Sequence, residues 1–446
     1  MIKIAFMGAG STVFAKNILG DAMLTPSLQD AHIALYDIDA ERLGDSVSMV
    51  NNLNEAINAG RSTITAHLGV EDRRSALKDA TFVVNAIQVG GYRPATVIDF
   101  EFPKKYGLRQ TIGDTLGIGG IFRGLRTIPV VMGFAREMEE ECPDALLLNY
   151  TNPMAIVTGA VLKATSVHVV GLCHSVQACV PDLLASLGMD TAAGDLRWKI
   201  SGINHMAWLL ELTRGGEDLY PEVRQRAIRM NDDALAGKGK KHPDMVRFEI
   251  MRHFGYYVTE SSEHNAEYSP FWIKAGYPEL VEQFNIPLDE YPRRCETQID
   301  GWSRQRSEIL DNRSLSHSRS KEFGARIMEA VLTGRPERIH GNVMNNGAIP
   351  NLPPQSVVEV ACLVDRNGIQ PTYSGALPPQ CAALNVTNVN VHELTVEAAL
   401  TGSRERLYQA AYLDPHTSAE LPLFRIRELC DELIAAHAAF MPELDQ

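Results

Sequence analysis

The sequence contains no CxxC pair and no regular cysteine spacing; its seven cysteines, Cys142, Cys173, Cys179, Cys295, Cys362, Cys381 and Cys430, are scattered. That excludes a disulfide framework and leaves reduced thiols, most of them small buried hydrophobes. Positive charge is scarce too: 42 Lys and Arg against 55 Asp and Glu give a net charge of −13. Such a balance speaks against a nucleic-acid surface, which needs clustered basic residues to neutralise phosphates. No uninterrupted apolar run approaches the ~18 residues of a membrane span. MIKIAFMGAG leads straight into a motif where a signal peptide would begin. Internal repeats, low-complexity tracts and a clear linker are also missing. The expectation is a cytoplasmic protein with neither nucleic acid nor membrane as partner. At 446 residues it exceeds the roughly 250 to 300 that one core serves, so two or three domains are expected.

The chain begins with strand, turn and helix, KIAFMGAGSTVFAKNIL, in which Gly8 and Gly10 match the start of a dinucleotide fingerprint while Val13 stands where its third glycine would be. A second strand, HIALYDID, ends in Asp37 and Asp39, where an acid would meet the adenosine ribose; a carboxylate there points to NAD over NADP. ITAHL, TFVVNAI, ALLLNY and HVVGLC supply four further strand candidates, with a helix from about Gly120 to Glu140 among them. Six strands alternating with helices predict a Rossmann-like, doubly wound parallel α/β sheet over residues 1–195. The remainder, 196–446, reads as one α+β domain wrapped on the first. It opens with two strands around a polar corner at Asn204 and His205, includes the strand VVEVACLVD, and ends in two amphipathic stretches, ELTVEAALTGSRERLYQAAYL and RIRELCDELIAAHAAF. The stretch from Gly215 to Pro243 shows no resolvable period.

Ligands of open parallel sheets bind at the carboxyl ends of the strands, so the polar residues there are the candidates for chemistry. Cys173 ends the sixth strand, and His205 lies in a later strand corner. Two such donors hold a divalent ion only if the fold brings them together; otherwise they are a buried thiol and a satisfied core histidine. Two protein ligands would leave positions open for substrate oxygens on a Lewis-acidic ion. Asn149 and Asn152, in NYTNP, suit a sugar hydroxyl or the nicotinamide ribose, and Asn152 equally suits the cap of a helix with Pro153 as its first residue. Asp114 lies in a glycine-rich loop, as a turn carboxylate or as part of a cation's charge balance. In GYYVTESSEH, Tyr256, Tyr257 and Glu260 are candidate proton acceptors, with an aromatic core and solvated acids as the alternative.

Taken together, GAGSTVFAKNILGD, GDTLGIGG, LNYTNPMA, VGLCHSVQ, SGINHMA, GYYVTESSEH, VEVACLVDRNGIQP and DPHT resemble, in order and over nearly the whole chain, glycoside hydrolase family 4, the NAD- and metal-dependent glycosidases, most closely its α-galactosidase members. The resemblance implies that Gly8, Gly10, Ser11 and Asp37 contact NAD, that Cys173 and His205 hold the metal, usually Mn²⁺, and that Asn152 and Asp114 line the sugar site. His174, where members acting on 6-phosphosugars have Asn or Asp, looks like the group working on unphosphorylated sugars. Within the base tract Tyr256 matches the family form better than Tyr257, and Glu260 competes with it.

The chemistry so implied is unusual for a glycosidase. NAD takes a hydride from C3 of the sugar, a base removes the acidified C2 proton, the aglycone leaves C1, water adds and the hydride returns. The metal would stabilise the charge that develops, and His174 would assist the leaving group or orient its neighbours. The substrate would be a melibiose-like α-galactoside, and the assembly a homodimer or homotetramer. The alternatives are a family 4 enzyme of other specificity (α-glucosidase, α-glucuronidase or galacturonidase) and a 2-hydroxy acid dehydrogenase of the lactate or malate type, whose nucleotide half and TNP motif are similar.

Overall fold

The computed structural model describes residues 1–192, 194–311 and 315–445. All six strands expected in the first half form: β1 (Lys3–Met7), β2 (His32–Asp37), β3 (Thr63–Leu68), β4 (Phe82–Asn85), β5 (Leu146–Asn149) and β6 (His168–Gly171). They are parallel, in the order β6-β5-β4-β1-β2-β3. That is the doubly wound order, with its switch point between β1 and β4. β1, β4 and β5 are buried along their whole length, as strands covered by helices on both faces must be.

The second half adds strands to the same sheet. These are β7 (Leu196–Ile203), β8 (Met206–Arg214), β9 (Glu217–Asp218), β10 (Tyr257–Val258), β11 (Glu337–Met344), β12 (Val357–Asp365) and β13 (Gly368–Pro371). The path continues β6-β11-β12-β7-β8-β10, antiparallel throughout, with β9 on β8 and β13 on β12. One mixed sheet therefore runs through both halves, where the sequence suggests a second domain laid over the first. The β6–β11 and β12–β7 junctions are single pairs, Gly171 opposite Asn342 and Glu359 opposite Gly202, and within the longer β11–β12 ladder Asn342 opposes Glu359. A Cβ at Gly171 would stand 2.6 Å from the Met154 sulfur and 2.9 Å from the Asn342 Cβ, so the close approach of β11 depends on that glycine. This row carries Cys173, two residues past Gly171, to the level of the β7–β8 corner.

Among the helices, Gly117–Glu141 starts three residues before its expected position and packs against Met154–Ala164 and Pro379–Thr401. It is long and apolar enough to cross a membrane by length and composition, yet nearly all of its first three turns are buried in the protein. The stretch after Gly215, which shows no period in sequence, forms β9 and the helix Tyr220–Leu235. The first of the two late amphipathic stretches is broken: Gly402, at φ +73°, ends Pro379–Thr401, and Ser403 caps Arg404–Leu413.

Candidate active site

The strand ends and one later turn converge. Gly8 follows β1 at φ +88°, and a Cβ there would lie 2.8 Å from the Ala86 backbone; at Gly10 it would lie 2.8 Å from Asp37 Oδ2. The N–H of Gly10 donates to that oxygen at 2.6 Å, and Oδ1 accepts from Asp39 N–H at 3.0 Å. The second acid of the pair serves the helix instead, since Asp39 caps Ala40–Asn58 by accepting from Glu41 and Arg42 N–H. Ser11 stands exposed before Thr12–Met23 without a side-chain cap bond. A bare helix N-terminus behind a turn where no Cβ fits, with an acid at the second strand end, suits a dinucleotide.

Cys173 and His205 meet. Nε2 of His205 is 3.2 Å from Cys173 Sγ and 3.7 Å from Glu260 Oε2, and the three donor atoms lie within 4.8 Å of one another. His205 is the second residue of a two-residue turn between β7 and β8 and adopts φ +61°. Its Nδ1 faces the Tyr268 hydroxyl at 3.1 Å, which fixes the ring. Burial, reinforced by the charge of Glu260, pushes the Cys173 thiol up to about 12. The amide of Asn204, fully buried in the same turn, faces the Cys173 thiol, and beyond that neither of its atoms has a hydrogen-bond partner among the described residues. A thiol, an imidazole and a carboxylate, two from strand corners and one from a turn, with an unsatisfied amide beside them, fit a divalent cation.

Around this trio stand the sugar candidates. Asn152 is not a cap: Met154–Ala164 begins after Pro153, which holds the cap position without a side-chain bond. Freed of that role, the Asn152 amide donates to Asp114 Oδ2 at 3.1 Å. Asp114 Oδ1 accepts from the Thr115 hydroxyl at 2.7 Å and stands 4.0 Å from His264 Nε2. Burial opposes ionisation of Asp114, but Arg123, His264 and His205 outweigh it and hold the carboxyl below its ordinary range. Asn149, by contrast, is spent within the fold. It accepts from Asn85 Nδ2 at 2.8 Å and Thr151 N–H at 3.1 Å, and donates to Thr158 Oγ1 at 3.1 Å. As the inward-facing end of β5, it has its polar capacity taken up by neighbouring elements.

Of the candidate bases, Glu260 is in the cluster. Its Oε1 is 3.5 Å from His264 Nδ1; burial works against its charge, but His205, His264 and Arg247 keep it below the usual carboxyl value. Tyr256 lies elsewhere: its ring stands edge-on to Tyr220 at 6.1 Å, because it precedes β10 and joins the apolar layer there. Tyr257 is sealed under the Arg247 guanidinium, 4.7 Å above its ring. His174 follows Cys173, with Nε2 2.7 Å from Glu322 Oε2, and that bond raises its pKa. Residues that sequence reasoning passed over include Tyr268, behind His205, and Glu359, fully buried in the junction row. The Glu359 carboxyl accepts from Asn342 Nδ2 at 3.3 Å and is pushed well up by burial. A lone acid in the apolar run VVEVACLV was the signal for it.

A doubly wound sheet of the dinucleotide-binding type, with a trio of residues at its ligand edge that could hold a cation, is the architecture of a nucleotide-dependent enzyme with a candidate metal site. The chain matches the model of the family 4 glycosyl hydrolases over residues 3–189 and that of their C-terminal domain over 200–417. It belongs to glycosyl hydrolase family 4. It is 56% identical to the α-galactosidase of Bacillus subtilis (strain 168), over 99% of this chain and 100% of that protein. It is 34% identical to an α-galactosidase of Rhizobium meliloti (strain 1021), over 99% and 89%. The structure of a 6-phospho-α-glucosidase from gut microorganisms, in complex with NAD and Mn²⁺, superposes with a TM-score of 0.79 at 22% identity, covering 100% of both chains. Membership of the family sets aside the hydroxy-acid dehydrogenase.

Proposed function

We propose that this chain is a cytoplasmic α-galactosidase acting on small melibiose-like α-galactosides, with NAD and Mn²⁺ as cofactors. The observation that carries the reading is the Cys173, His205 and Glu260 trio beside Asp114 and Asn152 in a chain 56% identical to an α-galactosidase. Seven unpaired cysteines suit a reducing compartment. Residues 1–195 would carry the nucleotide, through Gly8, Gly10, Ser11 and Asp37, and residues 196–446 the second metal donor and the base.

NAD, when bound, supplies reversible oxidation at C3 of the sugar, which acidifies the neighbouring C2–H. Cys173 and His205 would hold the cation, which would supply positive charge to offset the negative charge that develops on the sugar. The remaining work falls to the chain. Asn152 gives one side-chain amide proton to Asp114, which leaves its side-chain Oδ1 to accept from a sugar hydroxyl, while the ionised Asp114 accepts from another. Arg123 fixes this corner, donating from Nε to the Asn152 carbonyl at 3.2 Å and from Nη1 to the Tyr291 hydroxyl at 3.1 Å. Glu260, ionised and in reach of His264, takes the C2 proton. His174, its pKa raised by Glu322, delivers a proton to the departing oxygen at C1.

The test is hydrolysis of a nitrophenyl α-galactoside with NAD, Mn²⁺ and a reductant in deuterated water. Galactose carrying deuterium at C2 is the expected product. Galactose without it removes the elimination route, and stoichiometric release of NADH removes the glycosidase.

A further inference from the structure

Glu267 is a buried carboxylate that the reaction outlined above does not use. It ends the short helix Ser262–Glu267, is 1% exposed, and makes no hydrogen bond to Cys173, His205 or Glu260 among the described residues. Its oxygens face three successive backbone N–H groups instead. Oε2 accepts from Thr111 at 2.8 Å, Oε1 accepts from Gly113 at 2.8 Å, and the Ile112 N–H lies 3.3 Å from both. Consecutive amides turned to one point make an anion-binding concavity, and here the protein fills it with its own side chain.

The rest of the loop is gripped from the other side. Asp289 N–H donates to the Gln110 carbonyl at 2.9 Å and Tyr291 N–H to the Thr111 carbonyl at 3.0 Å. The Thr111 hydroxyl donates to the Glu263 carbonyl at 2.7 Å. Gly113 turns at φ +54°, and the next residue is Asp114. The direction in which the Asp114 carboxylate points is therefore fixed by what the three preceding amides hold.

We infer that Glu267 is the positioning residue that ties the sugar-binding loop to the base-bearing segment of the site. One stretch of chain, 260–267, places the proton acceptor at its start and clasps the Asp114 loop at its end. His264 lies between them, 3.5 Å from Glu260 and 4.0 Å from Asp114. The clasp requires two acceptor oxygens on one side chain. Glutamine keeps one acceptor oxygen and turns an NH₂ toward an N–H, and the shorter aspartate cannot span all three amides. This inference rests on the proposed role of Asp114 at the sugar.

The experiment compares the full-length parent with Glu267→Gln in hydrogen–deuterium exchange, in nitrophenyl α-galactoside kinetics, and in titrations of Mn²⁺ and NAD. Faster exchange confined to the 108–117 peptide is expected, with kcat/KM lowered roughly 10- to 100-fold, as for an ångström-scale misplacement of a binding group. Mn²⁺ and NAD affinities should stay at the parent values, because their donors lie off this loop. Unchanged exchange in 108–117 overturns the inference, and so does a loss of Mn²⁺ or NAD affinity as large as the loss in kcat/KM. A parent without galactosidase activity refutes the proposed function, and the exchange comparison then decides on the clasp alone. If Glu267→Gln does not fold, Thr111→Val, which removes the hydroxyl that donates to the Glu263 carbonyl and also faces the Glu267 carboxyl, takes its place. A smaller rise in KM at constant Mn²⁺ affinity supports the clasp, and an unchanged KM overturns it.

Discussion

Arg126→Met should be among the most damaging substitutions outside the site. Arg126 and Asp99 are 1% and 2% exposed and paired in bidentate fashion, at 3.0 and 2.5 Å. His437, fully buried after the last helix, faces Asp99 Oδ1 with Nε2 at 2.9 Å. Three helices, Val97–Lys105, Gly117–Glu141 and Leu423–Ala436, meet at this point. The Asp114 loop leans on it as well: Gln110 donates to the Asp99 carbonyl at 2.7 Å and accepts from Gly119 N–H at 3.1 Å. Removing the guanidinium strands a carboxylate in a dry core, which costs about 3–5 kcal/mol. Asp99→Leu alone strands the cation at a similar cost. The double variant removes both charges and leaves only the His437 ring and the Val89 carbonyl, which accepts from Arg126 at 3.2 Å, without partners, so its loss should be about 1–3 kcal/mol. The cycle is thus strongly non-additive, with a coupling of at least ~2 kcal/mol. Urea unfolding followed by tryptophan fluorescence at pH 7 measures all four proteins. A single variant that loses less than ~1 kcal/mol, or a double variant equal to the sum of the singles, refutes the account.

Other substitutions separate fold from chemistry. Asn149→Ala should cost about 1–3 kcal/mol, from the orphaned Asn85 amide and Thr151 N–H, and leave KM for the galactoside unchanged; a large rise in KM would return Asn149 to the sugar site. Glu260→Gln should lower kcat roughly 10²- to 10⁴-fold while Tyr256→Phe does not, and the reverse result would restore the tyrosine as base. Glu267 titrates against its burial, which pushes it from 4.5 to about 7. A carboxyl raised in the folded state contributes stability below its unfolded value and loses it as pH rises through the folded one. The stability of the parent relative to Glu267→Gln should therefore fall by about 3 kcal/mol between pH 4.5 and 7, as read from urea midpoints across that range; a pH-independent difference rejects it.

Much of the nucleotide half was legible because local signals and global order agree there. β2, β4 and β5 are apolar runs ended by an acid or an amide, and crossovers between parallel strands have one hand. Cys173 and His205 were visible as polar residues at strand ends. Their meeting was not, because it depends on β11 and β12, more than 130 residues on, being slotted between β6 and β7. The base tract was ambiguous for a related reason: Tyr256, Tyr257 and Glu260 lie within five residues of strand and turn, and their order alone does not say which of them meets the apolar layer. Only the pairing of Tyr257 with Leu209 and Val258 with Trp208 decides that the tyrosines enter the apolar layer and the glutamate turns to the imidazoles. Asn149 and Asn152 look equivalent in sequence, and what separates them is how many neighbours each finds for its amide.

Two of the three residues that gather at the candidate cation site carry left-handed backbone, His205 at φ +61° and Glu260 at φ +68°, a conformation costing a residue with a side chain roughly 1–2 kcal/mol. The surroundings enforce it at Glu260. Thr259 N–H donates to the Ala207 carbonyl at 2.8 Å, the Asn265 amide donates to the carbonyls of Thr259 and Ser261, both at 3.0 Å, and Arg247 donates to the Glu260 carbonyl itself. A residue chosen for stability there would be glycine. Glu260→Gly relieves the strain, against about 0.5–1 kcal/mol of extra chain entropy lost on folding and against the attraction of His205, His264 and Arg247 for the carboxylate. Measured without Mn²⁺ or NAD, so that ligand binding does not enter the balance, the variant should stay within ~1 kcal/mol of the parent, while its kcat collapses. A destabilisation beyond ~1 kcal/mol would mean that Glu260 is held for the fold and that its place beside His205 and Cys173 is incidental.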